Sequence, residues 1–347
     1  MYKQILQTGK IENTDDDEYF MDHDDVDDFL SQGGLKIINQ NIIKYSEDLN
    51  KVMKSSKKDI GRSVIQHHNS LFGEIMLILA DMSEVGKQES NIKKQLIENG
   101  LIDLIFTIGV KRLCDEIYPH LNIYHPKSQK IPYFETLMNF EWTCIRFFKG
   151  DDLILDRGYF QYIVKQIFNI DSCLEHSKGY ANASSCFKNI STIAAYNEKC
   201  LLYLLENKFF DKINHVLVTK LSKSKKSKFA LFKTILDTIV CLSYCKPIEK
   251  IIGEFVRIKL DEKLLQIFQL LRADDCHTAF YIGELLEFFV NNKIITKHII
   301  KLSFAILQCD EIEDIRDIDD VENYPTTLFR AGKALFDILC YDADVYR

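Results

Sequence analysis

The feature that most narrows the possible folds is a recurring phenylalanine. An apolar residue or Asn followed by Phe opens a helical stretch six times, at Leu71-Phe72, Asn139-Phe140, Cys186-Phe187, Leu231-Phe232, Ala279-Phe280 and Leu328-Phe329. Successive phenylalanines lie 68, 47, 45, 48 and 49 residues apart. Apolar residues follow at helical spacing, such as Ile190, Ala194 and Ala195 after Phe187, and so share one helix face. A single helix pair cannot bury such a face, whereas stacked neighbours bury a continuous core, so the period predicts a helical repeat array. The long first interval holds Pro119, Pro126 and Pro132, three of the chain's five prolines, and predicts an insertion loop near 115–135. With only 14 Gly and 5 Pro in 347 residues, the chain also lacks the turn material of a sandwich, barrel or doubly wound sheet.

Within the units, polar breaks separate shorter amphipathic segments. Asn91 to Glu98 is followed by Asn99-Gly100 and a fresh apolar run, Leu101-Ile102-Asp103-Leu104-Ile105. The third unit repeats the plan, with Asn197-Glu198-Lys199-Cys200-Leu201-Leu202 and then Glu206-Asn207-Lys208-Phe209-Phe210. The run from Asn91 to Ile102 resembles the junction between the second and third helices of an armadillo repeat. Ala194 to Cys200 similarly resembles the end of a first helix and the start of a second. The period agrees with the ~40–47 residues of armadillo and HEAT units. The resemblance covers residues 70–347 and implies an α-solenoid of about six units. In this reading only the first unit keeps Gly at the turn, as Gly100, and the fourth has Lys246-Pro247 where a helix begins. The short segments Asp25 to Leu30 and Gly283 to Leu286 are similar to serum amyloid A-like armadillo proteins.

Charge divides the chain differently. Residues 1–30 carry ten acids against two lysines and residues 310–347 carry eleven acids against four bases, which leaves +8 for residues 31–309 of a chain of net −7. The expected organisation is an acidic, partly disordered segment at 1–34 and a repeat domain at 35–347. Gly33-Gly34 reads as a turn before a short helix, Leu35 to Tyr45, and helical periodicity dominates from Leu71 onward. No run approaches the ~18 uninterrupted apolar residues of a membrane span, and no apolar core follows Lys3 as a signal peptide requires. Ten cysteines without a CxxC, most of them in apolar runs, read as small hydrophobes in a reducing compartment. A cytoplasmic or nuclear location is therefore expected.

Asp24-Asp25-Val26-Asp27-Asp28 has the Asp-Asp-x-x-Asp spacing that class I isoprenoid synthases use to hold Mg²⁺ against a diphosphate, because carboxylates four apart share a helix face. Its place in the acidic segment, ahead of any periodic helix, reads instead as a solvated acidic surface. His67-His68, His120, His125, Cys173 with His176, and Cys276-His277 are potential metal ligands, but zinc needs four that converge. No catalytic residue, metal site or cofactor is assigned. The Ser-interleaved run Lys220, Lys223, Lys225, Lys226 and Lys228 reads as a basic loop between repeats. Trp142 is either core or an exposed binding anchor. The expectation is a non-catalytic scaffold or adaptor that binds protein on the concave face of the array. Trp142, Lys208, Lys212 and the Lys220–Lys228 run are the candidate contacts, and an acidic or phosphorylated segment is the candidate ligand. An all-α isoprenoid-synthase-like enzyme using Asp24 to Asp28, and a nucleic-acid-binding solenoid, are the alternatives. The second is weakened because the lysine run lacks interleaved aromatics that would stack bases.

Overall fold

The polar breaks become helix boundaries in a computed structural model of the chain, which describes residues 23–55, 62–84, 89–117, 132–168, 179–221, 229–270 and 276–307. Among the described residues there are sixteen α-helices and no strands. The chain divides into two compact units, Met1–Asn189 and Ile190–Arg347.

The first unit contains α1 (His23–Ser31), α2 (Gly34–Ser55), α3 (Arg62–Glu84), α4 (Glu89–Glu98) and α5 (Leu101–Leu104). Wider π-helical turns at Ile105–Lys111 and Leu113–Ile117 carry α5 onward, and α6 (Pro132–Phe148), α7 (Leu153–Asp156) and α8 (Tyr159–Phe168) follow. The unit boundary falls inside α9 (Gly179–Tyr196). The second unit continues with α10 (Glu198–Glu206), α11 (Phe209–Leu221), α12 (Phe229–Ser243), α13 (Ile248–Arg257), α14 (Leu260–Phe268), α15 (Cys276–Asn291) and α16 (Lys297–Leu307).

One junction occurs five times, once at Gly33 (φ 76°) between α1 and α2 and four times between later helices. Between α4 and α5, α7 and α8, α10 and α11, and α13 and α14, a single residue turns left-handed: Gly100 (φ 64°), Gly158 (φ 74°), Lys208 (φ 60°) and Lys259 (φ 52°). In each copy its N–H donates to the carbonyl three residues earlier, and its own carbonyl accepts from the residue four later. This satisfies backbone groups that the end of one helix and the start of the next leave open. In the four later copies the next residue, Leu101, Tyr159, Phe209 or Leu260, is thereby driven into the core at 1% exposure or less. Glycine thus stands at this turn three times, as Gly33, Gly100 and Gly158, so Gly100 is not alone in that role. The other two hold lysine there against its backbone preference.

Helices pack on their counterparts within each unit. In the first, α3 lies against α6, and α2 against α5 and its π-helical continuation. In the second, α12 lies against α15, and α14 against both α11 and α16. The recurring phenylalanines sit at these contacts. Phe72, Phe140, Phe187 and Phe232 are fully buried and Phe280 is half-buried, while Phe329 lies outside the described residues. The first two each meet an aromatic ring of a preceding helical segment. Phe72 meets Tyr45 of α2 at 6.1 Å and packs on Gly109, where an added Cβ would come within 2.5 Å of its ring. Phe140 meets Phe106 of the preceding π-helical stretch at 5.4 Å and Tyr159 at 5.5 Å. Asp residues three beyond the left-handed turn also match across units. Asp103 accepts from Arg157 Nη1 at 2.9 Å and Tyr159 Oη at 2.6 Å, and Asp211 accepts from Arg257 Nη1.

Of the acidic segment, residues 23–31 are helical, with Val26 and Phe29 fully buried, and residues 1–22 lie outside the described residues. Amphipathic spacing of Val26 and Phe29 carries this helix, and aspartates on the remaining positions mask it in a charge count. The helix after Gly33 runs to Ser55 rather than Tyr45. Around the expected insertion, residues up to Ile117 and from Pro132 are helical, and 118–131 lie outside the described residues.

One histidine and one glutamate of the first unit, His68 and Glu141, are fully buried. His68 bridges Tyr45 Oη at Nδ1 and the Gly109 carbonyl at Nε2, both at 2.8 Å. The carbonyl can only accept, so Nε2 carries the proton and Nδ1 accepts from the phenol. Burial lowers the imidazole pKa to about 4. Glu141 is fully buried on α6; its Oε2 accepts from Asn189 Nδ2 at 3.0 Å, and the Cys186 thiol hydrogen-bonds the same carboxyl. Burial pushes its pKa well above the ordinary 4.5, which favours the neutral acid in the fold.

Two predictions follow from these elements. Gly158 has open space around its Cβ position, so backbone preference alone decides the outcome there. Gly158→Ala should destabilise the fold by roughly 1 kcal/mol, and Lys208→Gly should stabilise it by a few tenths or more, as read by urea midpoints. The unfolded chain ionises Glu141 from about its ordinary 4.5 upward while the folded chain keeps the proton to higher pH, so stability falls as pH rises above that value. His68 acts in the opposite direction: the unfolded chain takes up its proton below 6.5, and stability falls from there down to about pH 4. Glu141→Gln should therefore raise the denaturation midpoint most at neutral and alkaline pH and flatten that limb of the profile. An unchanged limb would show that the carboxyl is ionised in the fold.

Candidate partner-binding groove

In the second unit, α12 ends at Ser243, whose Oγ donates to the Val240 carbonyl at 2.7 Å. The chain turns through Tyr244 to Lys246, and Pro247 then starts α13 with extended backbone at φ −80°, ψ 128°. Pro suits a helix start because its missing N–H would have no helical partner there. The C-terminal half of α15 runs alongside, and Asn292 closes that helix by donating from Nδ2 to the Phe288 carbonyl at 2.8 Å. A groove of about 770 Å³ opens between these segments, and Glu198 at the start of α10 also lines it.

Carboxylates dominate the lining. Glu198, Glu249, Glu284 and Glu287 face the groove against a single cation, Lys246. None of the four carboxylates is ion-paired among the described residues. Glu198 and Glu249 occupy first helical turns, where the partial positive charge of the helix end stabilises them. Glu284 and Glu287 have no such support. They lie three residues apart in the later turns of α15, whose last turn contains no basic residue. A like-charge pair at that spacing on one helix face opposes helix stability.

Tyr244 completes the groove. Its side chain is 69% exposed although the ring is large and apolar, and its hydroxyl donates to Glu284 Oε2 at 2.6 Å. Burial and the Glu284 carboxylate both raise its pKa, so the phenol stays protonated and the hydrogen bond holds the ring in place. The floor is Phe288, almost fully buried, whose ring stacks edge-on against Phe255 at 5.4 Å.

The residues singled out in the sequence lie elsewhere. Trp142, on α6, is 47% exposed with the Arg146 guanidinium 5.0 Å from its ring centre. Lys208 is the exposed left-handed residue before α11, and Lys212, half-buried one turn later, donates its backbone N–H to the Lys208 carbonyl. Lys220 belongs to the last turn of α11, and Lys223, Lys225, Lys226 and Lys228 lie outside the described residues. None of these residues lines the groove. Of the Asp24–Asp28 motif, Asp27 and Asp28 are exposed on α1, and Asp28 accepts from Gln32 Nε2 at 2.6 Å and, through its carbonyl, from Ser31 Oγ at 2.9 Å. Of the histidines and cysteines considered as ligands, His67 is exposed, His68 is committed to Tyr45 and Gly109, and Cys276-His277 begins α15. His120, His125, Cys173 and His176 lie outside the described residues. Among the described residues no cluster of His, Cys, Asp or Glu is arranged to hold a metal ion, and no helix is long and apolar enough to cross a membrane.

Sequence reasoning passed over Tyr244 and the four glutamates. The Glu284/Glu287 pair, like charges one turn apart on one helix face, was the available signal; its convergence with Glu198 and Glu249 was not visible in one dimension. Comparison of the chain with protein-family models, with curated proteins and with solved structures finds no match.

The lining makes a stability prediction that needs no partner. Glu287→Lys relieves the repulsion with Glu284 and replaces it with an attraction between residues one turn apart. The variant should be more stable by roughly 0.5 kcal/mol in a thermal or urea melt at low salt, with the gain shrinking as salt is added.

Proposed function

We propose that the chain is an α-solenoid of about six armadillo/HEAT-like units that serves as a non-catalytic scaffold or adaptor for proteins in the cytoplasm or nucleus. Recurring copies of one left-handed junction and the matched Asp103 and Asp211 ion pairs support the repeat reading. In such an array each unit contacts its neighbours, and the surface spanning several units becomes the place where a partner's chain can lie.

The groove beside Tyr244 carries the functional reading. Its walls come from α12, α13 and α15, with Glu198 of α10 added, so within the second compact unit it draws on several helices of the array rather than on a single hairpin. A large exposed ring over a buried aromatic floor, rimmed by polar groups, is the composition of a protein-docking site. The lysines expected to take an acidic or phosphorylated segment remain a separate surface, of which Lys208 and Lys212 are the described part.

The test is comparative capture. Tagged wild-type chain and the Tyr244→Ala/Glu287→Lys variant, shown by circular dichroism to be equally helical, are used to recover proteins from the source cells. Specific proteins held by the wild type and lost by the variant are expected. The same set recovered by both would refute the groove as the docking surface.

A further inference from the structure

The charge of the groove goes further than its shape, and on it we infer that the occupant is a Lys- or Arg-bearing extended segment of a partner protein. This rests on the reading of the groove as a docking surface and adds the chemistry of what docks. Three observations converge. Four carboxylates from α10, α13 and α15 face one cavity with Lys246 as the only counter-charge, which leaves a formal −3 along the lining. None of them is ion-paired, so their mutual repulsion is unrelieved in the free protein. And the Glu284/Glu287 pair works against its own helix, so packing gives no reason for it, whereas a cation arriving from a partner does.

Tyr244 makes the site selective for an organic cation on a chain. Its ring is 69% exposed, and its hydroxyl is tied to Glu284 Oε2 at 2.6 Å. An ammonium or guanidinium placed over that ring is held by the ring's negative face while its N–H groups reach the neighbouring carboxylates. The aliphatic stem of the same Lys or Arg lies along the apolar part of the lining. Volume supports a segment as well: about 770 Å³ open to solvent admits a few residues of extended chain. Acidic peptides and nucleic acid are repelled by the same field.

The experiment uses the full-length chain and a phage library of randomised nonapeptides, selected on wild-type protein and on two variants. Glu249→Lys/Glu287→Lys reverses two exposed charges, and Tyr244→Ala removes the ring while leaving the acids. The expected result is enrichment of sequences with net positive charge on the wild type. Binding of the corresponding synthetic peptides, read by fluorescence anisotropy, should weaken roughly tenfold with the charge reversal and about threefold with Tyr244→Ala. It should also weaken with added salt. Enrichment of neutral or acidic sequences that Tyr244→Ala abolishes would overturn the charge selectivity and leave the docking surface standing. Basic sequences whose binding ignores both variants would place them elsewhere on the chain and overturn the inference. If no sequence class is enriched, both the inference and the docking reading of this groove fail.

Discussion

The left-handed turn between successive short helices governs the rest of the architecture. One residue with positive φ reverses the chain in almost no length, satisfies the backbone groups at both helix ends, and aims the next side chain inward. Without it, Leu101, Tyr159, Phe209 and Leu260 could not all enter the core directly after a helix end. Lys208 and Lys259 show that geometry, rather than residue type, is what recurs. Glycine makes this conformation easy, and lysine adopts it when the buried residue beside it and the carbonyl bonds around it outweigh the backbone cost.

Packing of like helix on like helix then decides the state of polar groups trapped between them. His68 is neutral because its surroundings exclude water, and its two ring nitrogens are used up by Tyr45 and Gly109. The π-helical turn widens the backbone at Gly109, and that residue has no Cβ because the Phe72 ring occupies the space. Glu141 is the complementary case, an acid whose protonated form burial favours, set between α6 and the Asn189 amide with one oxygen, Oε1, left unpartnered. Both groups hold neighbouring helices in register through hydrogen bonds instead of charge.

The groove reverses this economy of charge. In the core, ionisable groups are neutral and bonded; around Tyr244, carboxylates stay solvated, unpaired and mutually repulsive. Solvent screening keeps that repulsion small enough for the fold to tolerate, and the same screening is removed when a partner covers the site. A surface slightly unfavourable to its own helix is thus compatible with a stable chain and suited to an opposite charge.

What the residues announced by themselves were the all-helical class, the period of the phenylalanines, and the breaks at Asn99-Gly100 and Asn197, because helix periodicity and capping are local properties of a few consecutive side chains. The apolar pair Val26 and Phe29 was equally local but hidden among aspartates. Gly158 escaped as a turn equivalent to Gly100 because α7 before it is only a single turn long and offers no periodicity to read. The partner of Asp103, the burial of Glu141, and the meeting of Glu198, Glu249 and Glu284 in one groove were decided only by tertiary structure. Each depends on residues some 35 to 90 positions apart being brought together, and no local preference encodes that.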